Sequence, residues 1–116
     1  MPYLFTHFKE KLTVDGEQVY FALSRDGLNW EQVNGGNPIL ESKMSSGGCR
    51  DIEIIRLQDN SFVILTTDEC IVNRFDENYN VDWKNVNRTG SKGLCMWKSK
   101  DLIEFSEQRI IPIGRE

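Results

Sequence analysis

Gly47-Gly-Cys-Arg-Asp51 sets a guanidinium and a carboxylate side by side, directly ahead of an apolar run, Ile52-Glu-Ile-Ile-Arg-Leu57. A carboxylate held beside an arginine at the mouth of a strand can act as a general base or bind a sugar hydroxyl. The plainer alternative is an Asp51 that caps a turn and pairs with Arg50. His7 is the single histidine and lies in the aromatic run Tyr3-Leu-Phe-Thr-His-Phe8, where it reads as a structural imidazole ahead of a catalytic one. Trp83 sits in a polar stretch, placed either to stack on a sugar ring or to anchor its loop. No phosphate-binding glycine loop and no Ser/His/Asp nucleophile arrangement occurs.

The elements that must position these residues are strands. One phrase occurs twice, Ser24-Arg-Asp-Gly-Leu-Asn-Trp30 and Ser99-Lys-Asp-Leu-Ile-Glu-Phe105, each time after an apolar run and before another. Such a repeat favours a β-propeller over a single sandwich or barrel. Asp26 and Asp101 are expected to accept backbone hydrogen bonds within the turn. Trp30 and Phe105, at the same offset, are expected to pack between blades. Strands are expected over residues 3–8, 18–24, 29–34, 51–57, 61–67, 93–99 and 105–111, with a long polar insertion at 69–92. Both faces of the 51–67 hairpin are apolar, which places it between two layers. The chain then reads as one all-β domain over 1–116, a partial propeller. Blade one, 3–41, lacks its innermost strand, and blade two, 51–113, has four.

Size and charge narrow the function classes. At 116 residues the chain fits one modest domain. A net charge of −4 and the absence of a basic stripe argue against nucleic acid as a partner. No apolar stretch approaches the ~20 residues a helix needs to cross a bilayer, so no membrane partner is expected. The N-terminus lacks a secretory pattern, which suggests a cytoplasmic protein, with an extracellular or periplasmic one open if the chain is truncated. Cys49, Cys70 and Cys95 are an odd count without metal-type spacing; they read as free thiols, or as one disulfide with a thiol left over. Asn87-Arg-Thr89 matches a glycosylation sequon.

Tyr3-Leu-Phe, residues 18–30, Asn34-Gly-Gly-Asn-Pro-Ile-Leu40, Gly48-Cys-Arg-Asp51 and Ser99-Lys-Asp-Leu102 together resemble glycoside hydrolase family 43, most closely its arabinofuranosidase- and xylosidase-like members. The resemblance implies a five-bladed propeller that hydrolyses arabinofuranosides or xylosides of plant polysaccharides with inversion. The family's strand-opening Arg-Asp-Pro, which carries the general base, matches Arg50-Asp51-Ile52, so Asp51 inherits that role. Ile52 stands where the family has proline, and Glu53 follows. The family's general acid and its pKa-tuning aspartate belong to later blades, and neither Glu53 nor Asp68 matches the acid's motif. On this reading the isolated chain is inactive. Arg50, Asp68 (in a Thr-Asp the family often places near substrate), His7 and Trp83 are the candidate substrate contacts, and Asp68 reads equally as a turn cap. The resemblance implies an arabinose- or xylose-containing oligosaccharide as ligand and no obligatory cofactor, a calcium ion in the channel being left open. About two blades of five expose an unpaired edge at 3–8, which invites self-association or pairing with missing blades. The alternative is a non-catalytic carbohydrate-binding or structural propeller fragment.

Overall fold

The structure, a computed structural model, describes residues 3–9, 13–78, 80–84, 91 and 93–113. It is all-β, with two antiparallel sheets. The first joins β1 (Tyr3–His7), β2 (Tyr20–Ser24) and β3 (Glu31–Gln32) in that order. The second joins β4 (Cys49–Arg56), β5 (Phe62–Asp68), β6 (Gly93–Ser99) and β7 (Arg109–Pro112), also in chain order. No helix among the described residues is long and apolar enough to cross a membrane. The sequon at 87–89 lies outside the described residues.

The repeated phrase folds twice into the same turn. In the first copy the N–H groups of Asp26 and Gly27 donate to Ser24 Oγ (3.3 and 2.8 Å), and those of Leu28 and Asn29 donate to Asp26 Oδ1 (2.8 Å each). In the second, Asp101 and Leu102 donate to Ser99 Oγ (3.3 and 2.8 Å), and Ile103 and Glu104 donate to Asp101 Oδ1 (2.9 Å each). These bonds stabilise the charged form and hold both aspartates below their ordinary pKa. Gly27 (φ +79°) and Leu102 (φ +62°) occupy the same left-handed position of the turn.

Several strands are shorter than their apolar runs. The run at 29–34 pairs only over Glu31–Gln32, because Asp26 holds the backbone before it and a 3₁₀ turn at Asn34–Gly36 follows. The last strand starts at Arg109, not 105, because Ser106 closes the turn locally: its Oγ accepts from Lys98 N (2.9 Å) and its N–H donates to Lys98 O (2.8 Å). Val19 leaves the β1 ladder and bridges Leu40. The polar insertion is partly structured, with a 3₁₀ turn at Ile71–Arg74 and a bridge between Phe75 and Val81.

The core lies between the sheets. Val19 and Phe21 of the first pack on Cys49, Ile52, Ile64, Cys95 and Trp97 of the second. Phe105 sits in this interface, its ring 6.3 Å from that of Phe21. Its repeat counterpart Trp30 does not: it is 44% exposed on the far face of the first sheet, 5.8 Å from Phe5. The β4–β5 hairpin likewise has a layer on one face only, so Ile55 remains 44% exposed on the other. All three cysteines are free and buried. Cys49 and Cys95 lie on β4 and β6, on either side of the intervening β5. Strands two ladder steps apart are about 9.6 Å from each other, beyond the ~7 Å limit for a disulfide.

Candidate functional site

The approach to Asp51 is fixed by contacts from the first sheet's side of the molecule. Glu17 O accepts from Cys49 N (2.7 Å), tying the start of β4 to the segment ahead of β2. Gln18 spans the loop before β4, donating from Nε2 to Gly47 O (2.9 Å) and accepting at Oε1 from Ser42 N (2.7 Å). Gly48 lets that loop pass against the chain leaving β5: a Cβ there would lie 2.5 Å from Glu69 O and 2.6 Å from Cys70 Cβ. The glycine pair preceding Arg50-Asp51 is therefore a close-approach requirement as well as a turn.

Glu17 is the electrostatic centre of this end of the sheets. It is 2% exposed, accepts from Arg50 Nη1 (2.6 Å), and takes the N–H groups of Ile71 (2.8 Å) and Val72 (2.9 Å) and the Cys70 thiol (3.4 Å). Burial alone pushes its pKa up; the Val72 amide, Arg50 and the Ile71 amide outweigh it and hold the carboxyl below its ordinary value. Arg50 completes the cluster by stacking its guanidinium 4.5 Å above the Phe8 ring.

Asp51 sits in a β-bulge. Arg50 pairs with Thr67 and Glu53 with Leu65, so Asp51 and Ile52 together face Thr66. Asp51 takes a left-handed φ of +52°. In an unbroken strand Cys49 and Asp51 would share one face. The bulge instead gives the inner position to Ile52, which is buried with Cys49, and turns Asp51 to solvent. Thr67 Oγ1 then donates to Asp51 Oδ2 (3.2 Å). Proline after Asp51 would push it to extended backbone; Ile52 leaves the left-handed region open, which aspartate tolerates better than most residues.

The other sequence candidates are dispersed. Asp68 is 2% exposed and faces the core; its Oδ1 accepts from Ser46 Oγ (2.6 Å) and Ser46 N (3.2 Å). Its buried Oδ2 has no partner within bonding geometry among the described residues. Burial raises its pKa, but the hydroxyls of Ser45, Ser46 and Ser91 prevail and hold it below the ordinary value. His7 stacks between Phe5 (5.2 Å) and Tyr20 (5.5 Å) on the outer face of the first sheet, with both sheets between it and the Thr67 face that carries Asp51. Burial holds it below the usual histidine range, with Lys9 adding to the effect and the Phe8 backbone opposing it. Trp83 is 57% exposed beyond the Phe75–Val81 bridge. Among the described residues no group of three His, Cys, Asp or Glu side chains is placed to hold a metal ion.

Two residues of the site escaped sequence reasoning. Glu17 lies in the charged stretch 9–17 and pairs with an arginine 33 residues on, so no local pattern marks it. Thr67 was legible only as a neighbour of Asp68. In the structure the bulge shows as a break in the two-residue period: the buried positions Cys49 and Ile52 are three residues apart, with the half-buried Ile54 continuing from Ile52. A family model described as a probable glycosyl hydrolase domain, labelled as related to family 43, matches residues 1–116. No curated protein and no solved structure gave a match.

Proposed function

This chain belongs to the family of that probable glycosyl hydrolase domain, and from the membership we propose that it serves an inverting hydrolysis of arabinofuranosides or xylosides, with Asp51 as general base. The observation that carries the reading is the bulge, which places a carboxylate on left-handed backbone and turns it out of the core. Backbone strain of this kind, of order 1–3 kcal/mol, concentrates at functional sites. In this reading the two sheets are propeller blades. Asp51 takes the proton of a water attacking the sugar's anomeric carbon while the glycosidic oxygen leaves on the opposite face. Thr67 fixes the rotamer of Asp51, and Arg50 keeps positive charge beside it. Asp68 acts through Ser46, by holding the loop ahead of β4, and an exposed Trp83 is available to stack on a sugar ring. His7 is a structural ring. The general acid, expected about 6.5–9.5 Å from the base, comes from outside the two sheets.

Turnover of nitrophenyl arabinofuranoside and xyloside, whose nitrophenolate leaves without protonation by a general acid, tests the assignment. Asp51→Asn keeps the shape and the tolerance of left-handed backbone but cannot accept the proton, and the expected loss is about 10²–10⁴-fold. Equal rates for the two proteins would remove Asp51 from the role. A second reading, a non-catalytic carbohydrate-binding unit, is favoured by one observation: Glu17, Asp68 and Glu69, the buried carboxylates near this end of the sheets, are all engaged in holding backbone. It predicts retardation of the native chain in gels containing arabinoxylan, with no release of nitrophenol.

A further inference from the structure

The core-facing side of β1 carries Leu4, Thr6 and Phe8. Leu4 and Phe8 pack against the core, and Thr6 lies opposite Phe21, which belongs to it. A hydroxyl in that apolar stripe needs an acceptor, and Thr6 Oγ1 donates across the sheet interface to Ile52 O (3.4 Å). The choice of acceptor is informative. β4 is an edge strand, and its bulge leaves Asp51 and Ile52 without a one-to-one partner on β5. Ile52 is buried, so its carbonyl draws its partner from within the protein. Two residues further along the same side of β1, the Phe8 ring lies under the Arg50 guanidinium (4.5 Å). β1 therefore grips the residue before Asp51 and the residue after it.

We infer that Thr6 and Phe8 are positioning residues, which hold Asp51 on its left-handed backbone by bracketing the bulge from the first sheet. The Thr6 bond is long for a hydroxyl donor and weak on its own; the hold comes from its two points together. Arg50 is fixed by Phe8 and by Glu17, and the Ile52 carbonyl is fixed by Thr6. The one residue between them takes up the turn of the chain, and that residue is Asp51 at φ +52°. A sparsely populated φ persists where its surroundings over-determine it, and extended backbone at Asp51 would give up one of the two contacts. Thr67 acts on the Asp51 carboxylate, whereas β1 acts on the backbone that carries it. The first sheet thus contributes to the chemistry through residues that do not touch the substrate. That consequence rests on the general-base reading of Asp51; the bracket itself does not.

The NMR coupling between the amide and α protons of Asp51 reports its φ. Asn60, left-handed in the turn between β4 and β5 (φ +67°), serves as the reference. Thr6→Val keeps the shape and branching of the side chain and removes the hydroxyl; Phe8→Leu keeps an apolar side chain and removes the ring. Each is expected to move the Asp51 coupling toward the extended value, the double variant furthest, while that of Asn60 stays. Thr6→Ser, which keeps the hydroxyl, is expected to match the native protein. In nitrophenyl glycoside turnover, Thr6→Val should lower kcat about tenfold with KM unchanged, and Thr6→Ser should restore it. An Asp51 coupling unchanged in the double variant, or altered as much by Thr6→Ser as by Thr6→Val, would overturn the inference. If the coupling responds as expected but Asp51→Asn turns over at the native rate, the bracket stands and the general base falls, so the two readings fail separately.

Discussion

Glu17 and Arg50 pair at the end of the sheets where β4 begins, and their pairing makes that end sensitive to acid. Because the folded pKa of Glu17 is lowered, its contribution to stability is present above the ordinary glutamate value of 4.5 and is lost as pH falls through the folded value. Glu17→Gln keeps the side chain's volume but removes the carboxylate charge that Arg50 pairs with. Breaking a buried pair by removing one partner costs about 3–5 kcal/mol. We expect a loss of about 3 kcal/mol at pH 7, narrowing below pH 4 as the native carboxyl protonates; urea unfolding of both proteins at pH 7 and pH 3 measures it. An equal stability difference at the two pH values would mean that the charge of Glu17 contributes nothing. At this scale the sequence was informative where partners are adjacent, as in Arg50-Asp51, and silent where they are not. Glu17 reaches Ile71 and Val72 from 54 and 55 residues away.

The turn, the bulge and the strand edges belong to the scale of elements. The turn was legible at its aspartates, since the backbone bonds that Asp26 and Asp101 accept run between residues two or three apart and recur in both copies. Its left-handed position is glycine in one copy and Leu102 in the other, where packing against the core offsets the backbone cost. Gly27→Ala tests that cost in isolation, because a Cβ there meets only Tyr3 ring carbons at ordinary contact distance, 3.7 Å. A loss of about 1–2 kcal/mol in thermal or urea unfolding is expected; an unchanged stability would show that the turn relaxes. The strand ends were misread for a physical reason. Apolar runs mark burial, whereas ladder pairing at 29–34 and 105–111 is interrupted by Asp26 and Ser106, whose side chains take the backbone bonds. The bulge was missed because it changes one residue's backbone rather than the composition of the strand.

For the whole molecule, the sequence repeat specified two β units, and the structure shows what each lacks. A radius of gyration of 15.2 Å exceeds the roughly 13 Å of a compact domain of this length, in keeping with two uncovered sheet faces. The central claim is that the strain at Asp51 is kept for chemistry. Asp51→Gly separates the two, since glycine adopts φ +52° without steric strain but carries no carboxylate. The decisive measurement is the turnover of nitrophenyl arabinofuranoside and xyloside by Asp51→Gly and native protein, alongside their unfolding. The account predicts a variant at least as stable as the native chain, by up to about 1 kcal/mol, and about 10²-fold or more slower. A variant that is less stable and equally active would contradict it.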